Sequence, residues 1–386
     1  MALLTEKDRM YKTPEDICAH LGDEYEKFMG AIVPPIFQNS LFVQPTDVNG
    51  VEASGYTYTR AANPTIEIAE KKIAALEGAD GALCFATGMA AISNAILYYT
   101  RADCHIVIVE SSYGNSRTLI SQYLPKRYNT TCTFVDGGSI EEIRNAVTDK
   151  TSLIFVESPS SHVFRMQDLE EIAKIAKSVG AGTVIDNTYA TPLHQNPLKY
   201  GIDIVCHTIS KYMGGHSDIL GGAIAARREI IEEISANERL LLGGTMDPHQ
   251  AWLLIRGLRT FPLRVKQHGE NAKKVAAFLE KHKNVEKVFY PGSESYPQKE
   301  LFEKYLTGTN GLMSITPKGT KEQAMKFSKN LHHFQYGCSW GGFESLAIFL
   351  GDHYGEKNLV RLHVGLEDPD ALIADLDQAL NAFCGE

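Results

Sequence analysis

The sequence predicts an α/β protein with a mostly parallel, seven-stranded sheet and a smaller α/β domain at its C-terminal end. Seven short apolar runs, most of them separated by helix-like stretches, occupy residues 81–226. At 386 residues the chain is long enough for two domains, each with its own core. Residues suited to catalysis come directly after several of these runs, and ligands collect at this edge of such sheets.

The seven apolar runs are the predicted strands of the sheet. Strand–helix alternation of this length implies largely parallel strands that helices cover on both faces. Helices are expected over residues 88–99 and 168–178. The predicted strands are residues 81–86, 105–110, 131–135, 152–157, 182–185, 203–207 and 222–226.

The segments on either side of this region have a different character. Residues 1–60 show weak apolar periodicity and contain Pro34-Pro35, so they are expected to wrap the body of the subunit or a neighbour. The chain therefore divides into this N-terminal arm, a large cofactor-binding domain over residues 61–250 and a smaller domain over residues 251–386. In the smaller domain the predicted helices and strands are residues 265–282, 285–290, 311–316, 346–350, 360–364 and 369–383.

The composition excludes several classes of function. A formal charge of −9 gives no electrostatic reason to expect nucleic acid or an anionic membrane as partner. No apolar run approaches the ~20 residues that span a bilayer, and the first residues lack the apolar core of a signal peptide. The seven cysteines are scattered and never spaced as Cys-x-x-Cys, which argues against a disulfide framework and a zinc site. We therefore expect a cytoplasmic protein without a metal.

The most informative motifs end two consecutive predicted strands. Asp186 ends one strand, and Lys211 follows the next, with Thr208 and Ser210 beside it. These residue types suit pyridoxal phosphate, because a carboxylate keeps its pyridine nitrogen protonated and a lysine can form a Schiff base and then act as a base at the substrate Cα. The two hydroxyls suit a phosphate. For the pair alone, a solvated acid and a solvated lysine at loop ends remain the alternative.

A third motif, Ala86-Thr87-Gly88-Met89-Ala90, joins a predicted strand to a predicted helix. At the start of a helix, the free backbone N–H groups of Gly88 and Met89 can bind an anion. The second and third glycines of the dinucleotide fingerprint G-x-G-x-x-G are missing. Glycine here can also serve only a tight turn.

From about Pro34 to the C-terminus, the chain resembles the Cys/Met-metabolism family of pyridoxal-phosphate enzymes. The resemblance implies fold type I, that of the aspartate aminotransferases, and a homo-oligomer in which a dimer is obligatory and a tetramer of two dimers is usual. It implies Lys211 as the Schiff-base lysine and Asp186 as the pyridinium partner. Tyr113 matches the tyrosine that stacks on the cofactor ring. The residues that match the phosphate site are Gly88, Met89, Thr208 and Ser210, with Tyr58 and Arg60 reaching from the neighbouring subunit.

Three further residues match the substrate side of the family's site. Arg361 resembles the arginine that grips the substrate carboxylate, a role that suits a guanidinium fork because it can bond both oxygens at once. Ser339 and Trp340 are assigned to substrate binding. Three of the assignments have an alternative: Tyr113 can be ordinary packing, Arg60 an exposed surface charge, and Arg361 a structural ion-pair partner.

Local departures from the family pattern indicate which reaction is catalysed. Ser161 replaces the asparagine that usually faces the phenolic oxygen of the cofactor, and Trp340 stands where γ-synthases and γ-lyases tend to have leucine. Both features resemble bacterial cystathionine β-lyases. Asn115 stands where methionine γ-lyases have cysteine.

The resemblance therefore predicts β-elimination of L-cystathionine, an amino-acid thioether, to homocysteine, pyruvate and ammonia. Two alternatives stay open. One is a cystathionine γ-lyase or γ-synthase of the same family, and the remote one is a non-catalytic binding or regulatory protein on this fold.

Overall fold

The computed structural model describes residues 2–385 and contains two β-sheets. The strands of the larger sheet are β1 (Ala2–Leu3), β2 (Gly81–Phe85), β3 (His105–Val109), β4 (Thr131–Val135), β5 (Thr151–Glu157), β6 (Gly182–Asp186), β7 (Ile204–Thr208) and β8 (Gly222–Ala226). Their order across the sheet is β1-β2-β8-β7-β6-β5-β3-β4. The seven-stranded central sheet is confirmed, and the two-residue strand β1 adds an edge that no apolar run predicted.

The larger sheet is mostly parallel. Strands β3 and β4, β3 and β5, β5 and β6, and β6 and β7 pair in parallel. Strand β8 is antiparallel to both of its neighbours, β7 and β2. The parallel arrangement brings the carboxyl ends of β5, β6 and β7 to the same edge of the sheet.

Both faces of the larger sheet are buried, as parallel sheets require. Successive residues of a strand point to opposite faces, so Ile106 and Ile108 belong to one hydrophobic cluster and Val107 and Val109 to the other. The helices of this part of the chain are α1 (Pro14–His20), α2 (Pro64–Glu77), α3 (Gly88–Tyr99), α4 (Gly114–Thr118), α5 (Leu124–Tyr128), α6 (Ile140–Ala146), α7 (Leu169–Ser178), α8 (Thr191–His194), α9 (Arg228–Ile234), α10 (Leu240–Leu242) and α11 (Pro248–Arg259).

The smaller sheet has five strands and its own hydrophobic cluster. Its elements are α12 (Phe261–Leu279), β9 (Val285–Phe289), α13 (Lys299–Tyr305), β10 (Leu312–Pro317), α14 (Lys321–Lys329), β11 (Gln335–Tyr336), β12 (Leu346–His353), β13 (Glu356–His363) and α15 (Pro369–Phe383). The strand order is β11-β12-β13-β10-β9. Helix α12 begins at Phe261, four residues before its predicted start, because Pro262 suits a first helical turn.

Strands β12 and β13 form a hairpin that is longer than predicted. Its turn contains Tyr354 and Gly355, with φ angles of 52° and 78°. The outer part of the hairpin carries polar side chains such as Asp352 and Lys357, so no apolar alternation marked it as strand. The hairpin tip is important for the site described below.

The N-terminal arm is the most exposed part of the described chain. Between α1 and α2 its strand-like pairing is a single bridge between Leu41 and Tyr58. Apolar side chains face solvent here, at Met29, Ile32, Val33, Ile36, Leu41, Val43 and Val48. The division at residues 60 and 250 stays a prediction. Among residues 2–385, no helix combines the length and the apolar character needed to cross a bilayer.

Candidate active site

Lys211 lies just beyond the carboxyl end of β7, in a turn. The backbone N–H of Lys211 donates to the carbonyl oxygen of Thr208. Its Nζ donates a 2.8 Å hydrogen bond to Ser339 Oγ and lies 5.2 Å from the centre of the Trp340 ring. Burial, assisted by the charge of Arg361, lowers the pKa of the Lys211 amine to about 8. A useful fraction of this amine is therefore neutral near pH 7, as a nucleophile or base requires.

A loop of the smaller sheet meets Lys211 at very short range. Gly341 has a φ of 83°, and a Cβ at this position would lie 2.6 Å from the backbone nitrogen of Tyr212. Only glycine permits this approach. The N–H of Gly341 donates to Nε2 of His363 at 3.0 Å. The loop therefore holds Ser339 and Trp340 against the lysine.

Asp186 ends β6 and pairs in register with Glu157 on one side and Cys206 on the other. Its Oδ1 accepts hydrogen bonds from the backbone N–H and the hydroxyl of Thr188, at 3.0 and 2.5 Å. These bonds leave Oδ2 available for another donor. Burial raises the pKa of the Asp186 carboxyl, so a cationic partner at Oδ2 would stabilise its charged form.

A second buried carboxyl group, Glu157, lies at the end of the neighbouring strand. Its Oε2 accepts from the backbone N–H of Tyr113 at 2.7 Å, and its Oε1 accepts from that of Ser161 at 2.9 Å. Burial and the neighbouring Asp186 raise the pKa of Glu157 to about 8. Sequence reasoning missed this residue. Its position, one strand end away from Asp186, was the available signal.

The residues predicted to bind phosphate come together at the start of α3. Thr87 caps this helix by accepting from the N–H of Ala90 at 2.9 Å. The N–H groups of Gly88 and Met89 come earlier in the first turn and have no acceptor within the helix. A Cβ at Gly88 would lie 2.3 Å from Thr208 Oγ1, which shows how closely the β7 end approaches the helix. Ser210 Oγ is nearby in the same turn and accepts from the N–H of Gly221 at 3.1 Å.

Arg361 is buried on β13 without an acidic partner. Its Nη2 donates to the carbonyl oxygen of Cys338 at 2.5 Å. In the described part of the chain, no carboxylate lies within ion-pair distance of the guanidinium group. Burial lowers its pKa to about 10, because a cation is costly in a desolvated place. The site therefore offers one buried positive charge to an incoming anion.

The aromatic and arm residues are placed differently from the buried set. Tyr113 is 44% exposed and directly precedes α4, and its hydroxyl accepts from Asn115 Nδ2 at 2.9 Å. Tyr58 is 46% exposed, and the guanidinium of Arg60 lies 5.4 Å from its ring centre. In residues 2–385 neither arm side chain has a hydrogen bond or ion pair with the buried set. Their predicted position in a neighbouring subunit's site stays a prediction.

The residues present fit pyridoxal phosphate. The free Oδ2 of Asp186 suits a protonated pyridine nitrogen, and the neutral fraction of Lys211 suits an aldehyde. The start of α3 offers N–H groups to a phosphate, and Gly88 allows the Thr208 hydroxyl to lie close to them. Among the described residues, no cluster of His, Cys, Asp and Glu side chains could hold a metal ion.

Comparisons with known proteins agree with this chemistry. The model of the family described as "Cys/Met metabolism PLP-dependent enzyme" matches residues 15–381. L-methionine gamma-lyase of Fusobacterium nucleatum subsp. nucleatum is 35% identical over 371 residues, which are 91% of this chain and 94% of that enzyme. Cystathionine beta-lyase of Lactococcus lactis subsp. cremoris is 36% identical over 377 residues, 94% of this chain and 97% of that enzyme.

A solved structure is equally similar. The crystal structure of metB from Corynebacterium glutamicum superposes with a TM-score of 0.91 at 33% identity, over 97% of this chain and 99% of that one. Similar proteins at about 35% identity thus include both a gamma-lyase and a beta-lyase.

Proposed function

The chain belongs to the Cys/Met metabolism family of pyridoxal-phosphate-dependent enzymes, and we propose that it is a carbon–sulfur lyase that cleaves L-cystathionine by β-elimination. The products are homocysteine, pyruvate and ammonia. This reaction belongs to trans-sulfuration, the chemistry of cysteine and methionine metabolism. The family establishes the cofactor, whereas the choice of reaction depends on the residues around Lys211.

The family's cofactor is pyridoxal 5′-phosphate, which supplies, when bound, an electron-accepting ring that stabilises negative charge at the substrate Cα. Lys211 would hold it through the ε-amine and Asp186 through the free Oδ2. Tyr113 would lie against its ring. The phosphate would be held by the N–H groups of Gly88 and Met89, the hydroxyls of Thr208 and Ser210, and Tyr58 and Arg60 of a second copy.

Arg361 binds the substrate in this proposal. Its buried guanidinium lacks a carboxylate partner in the described chain, and the α-carboxylate of an amino acid supplies one. A guanidinium fork can bond both carboxylate oxygens and thereby fixes the direction of the Cα–H bond. With Arg361 at one end and Lys211 at the other, the Cα proton faces the amine.

Lys211 moves the proton. Its neutral ε-amine removes the proton from Cα, and the Cβ–sulfur bond breaks as homocysteine leaves. The ammonium form of Lys211 can return the proton to the departing sulfur. Ser339 Oγ, 2.8 Å from Nζ, keeps the amine oriented between these two tasks.

The observation that carries the choice of β-elimination is the contact between Lys211 and Trp340. The indole ring is 94% buried and lies 5.2 Å from Nζ, beside the Ser339 hydrogen bond. Together they favour one position of the amine, over Cα. A γ-elimination requires the same amine to remove a second proton from Cβ, and the fixed indole restricts that movement.

Product identification tests this proposal. Purified holoenzyme is incubated with pure L-cystathionine, and the keto acid and the thiol are identified by mass spectrometry. We expect pyruvate and homocysteine. The appearance of 2-oxobutyrate and cysteine would instead assign γ-elimination, and a thioether formed from an O-acylhomoserine and cysteine would assign γ-replacement. Absence of turnover on every amino thioether would support a non-catalytic role.

We also propose that the catalytic unit is a dimer. Members of this family act on amino acids and are generally oligomeric. The exposed apolar side chains of the arm, and the absence of an ion-pair partner for Arg60 in the described chain, support a second copy at this face. Assembly of dimers into a tetramer and a cytoplasmic location remain predictions.

A further inference from the structure

Arg117 is a second cation close to the site without an anionic partner. It lies on α4, and its N–H donates to the carbonyl oxygen of Tyr113 at 3.1 Å, one helical turn earlier. Its Nε is buried and has no hydrogen-bond partner. Within residues 2–385 no carboxylate lies within ion-pair distance of its guanidinium group. Residues four apart on a helix share one face, so Arg117 lies on the side of the helix that carries Tyr113.

The hairpin tip of the smaller sheet covers this arginine. The guanidinium carbon of Arg117 lies 6.0 Å from the centre of the Tyr354 ring. The Tyr354 hydroxyl is 3.4 Å from Nδ1 of His162, and the rings of His162 and His353 are 5.7 Å apart. His162 directly follows Ser161 in the loop beyond β5. The hairpin tip therefore lies against the loop that follows Ser161, and it supports Arg117 through a cation–π contact.

His162 lies near both Arg117 and Arg361 and neutralises neither. Burial, and then the charges of Arg361, His353 and Arg117, lower the pKa of His162 to about 3. The imidazole is therefore uncharged at neutral pH. Both guanidinium groups lie close enough to this ring to act on its charge.

The nearby carboxylates do not form an ion pair with Arg117. Glu157 already accepts two backbone hydrogen bonds, from Tyr113 and Ser161. Glu110 acts on the Tyr354 ring electrostatically but is exposed to solvent. Burying part of an arginine without a partner is costly, and such groups usually serve a ligand.

We propose that Arg117 binds a second carboxylate at the far end of the substrate, so that the site selects dicarboxylic amino-acid thioethers. This inference rests on the proposed function, because it takes Arg361 as the group that binds the first carboxylate. The two arginines then hold the two ends of one substrate, with the sulfur between them. The contact of the Arg117 guanidinium with the Tyr354 ring stabilises this cation beside the site.

Two substrates that differ only at the far end test the proposal. S-(2-carboxyethyl)-L-cysteine carries a distal carboxylate, whereas S-propyl-L-cysteine has a methyl group there, and both give pyruvate by β-elimination. We expect the wild-type holoenzyme to prefer the first by about 10- to 100-fold in kcat/KM, the range for a charge-assisted hydrogen bond. In Arg117→Gln the ratio of the two kcat/KM values should fall toward one.

A matched control and a charge reversal sharpen the result. Arg127 lies on α5, 5.5 Å from the ring centre of Tyr123, and is exposed, so Arg127→Gln should keep the wild-type ratio. Arg117→Glu should favour S-(2-aminoethyl)-L-cysteine, whose distal group is a cation. If Arg117→Gln does not fold, Arg117→Lys keeps the charge, and its preference should decrease without disappearing.

Binding measurements separate failure of this inference from failure of the proposed function. If neither cysteine conjugate yields pyruvate, β-elimination is wrong, but calorimetry with L-2-aminopimelate and L-2-aminoheptanoate still tests Arg117. These sulfur-free analogues differ in the same distal carboxylate. An equal affinity of the wild type for both, or an unchanged preference in Arg117→Gln, would overturn the assignment of Arg117.

Discussion

The surroundings of Lys211 and the N-terminal arm are built in opposite ways. Around Lys211, Asp186, Trp340 and Arg361 are buried, and their contacts lie within one chain. In the arm, Tyr58 is 46% exposed, and the main contact of Arg60 is with that ring. One chain thus preorganises the reacting groups, whereas we propose that the outer part of the phosphate site is completed by a second copy.

The largest expected effect comes from removing the amine at the centre of the buried region. Lys211→Ala should lower turnover by ~10³-fold or more, because the nucleophile and the base are lost together. The purified wild type should be yellow and retain the cofactor covalently after borohydride treatment, whereas the variant should not. Lys199→Ala, at a lysine whose Nζ bonds only to Asn196, is the control and should behave as wild type. Full activity in Lys211→Ala would refute the site.

Co-expression of two inactive variants, one changed at Arg60 and one at Lys211, tests whether Arg60 acts in the site of a second copy. We expect Arg60→Ala to lose cofactor and activity when no pyridoxal phosphate is added. Co-expression with Lys211→Ala should restore about a quarter of wild-type activity, because half of the dimers are mixed and each has one intact site. If Arg60 serves its own chain, every site of a mixed dimer is defective and co-expression restores nothing.

The pH dependence of cofactor attachment tests how strongly the surroundings of Lys211 lower the pKa of its amine. Because burial and Arg361 lower the pKa of the amine to about 8, the neutral fraction rises with pH up to about 8. The rate at which apoenzyme incorporates pyridoxal phosphate should therefore rise about tenfold per pH unit below this value and level off above it. Arg361→Gln should shift the plateau to higher pH. A rate that still rises steeply above pH 9 would show that the pKa of Lys211 is that of an ordinary, exposed lysine.

The smallest of these effects concerns Glu157, whose carboxyl group accepts hydrogen bonds from the backbone N–H groups of Tyr113 and Ser161. In Glu157→Gln the amide has one acceptor oxygen for two N–H donors, so the free energy of unfolding should fall by about 1–3 kcal/mol. Denaturant titration of the apoenzyme measures this loss, with Glu141→Gln at an exposed position as control. Cofactor affinity should also fall, since Tyr113 is then less well positioned.

The pH dependence of stability should change in the same Glu157→Gln variant. The pKa of Glu157 rises from 4.5 to about 8 in the folded chain, so its contribution is fully present below pH 4.5 and is lost as pH rises through about 8. The wild-type apoenzyme should therefore lose stability over this interval more steeply than the variant. Identical pH profiles would show that Glu157 ionises freely.

Sequence patterns predicted the buried region better than the exposed one, for physical reasons. The central strands carry continuous apolar runs because both of their faces are buried, and Asp186 and Lys211 follow such runs directly. Family resemblance identified Arg361 and Trp340, which lie far along the chain from Lys211. Contacts that depend on the meeting of distant segments had no local signal. Neither the 2.8 Å bond from Lys211 to Ser339 nor the approach of Gly341 to Tyr212 could be predicted from spacing.

Polar structure was the least predictable part. The hairpin of β12 and β13 extends beyond the predicted strands because its outer residues are polar and show no alternation. Glu157 belongs to a predicted strand, but its two backbone partners are separated from it by 44 and 4 residues. Arg117 had no distinguishing neighbour in the sequence, because Tyr354, which covers it, lies in the other sheet.

The close approach of Gly341 to the backbone of Lys211 and Tyr212 has a consequence for protein engineering. Every amino acid that a point mutation could introduce there carries a Cβ, which would meet backbone atoms of Lys211 and Tyr212 within about 3 Å. Directed evolution of substrate preference should therefore leave this loop unchanged. Randomising the hairpin tip and the face of α4 that carries Arg117 would instead alter the region that we propose binds the far end of the substrate, where the contacts are between side chains.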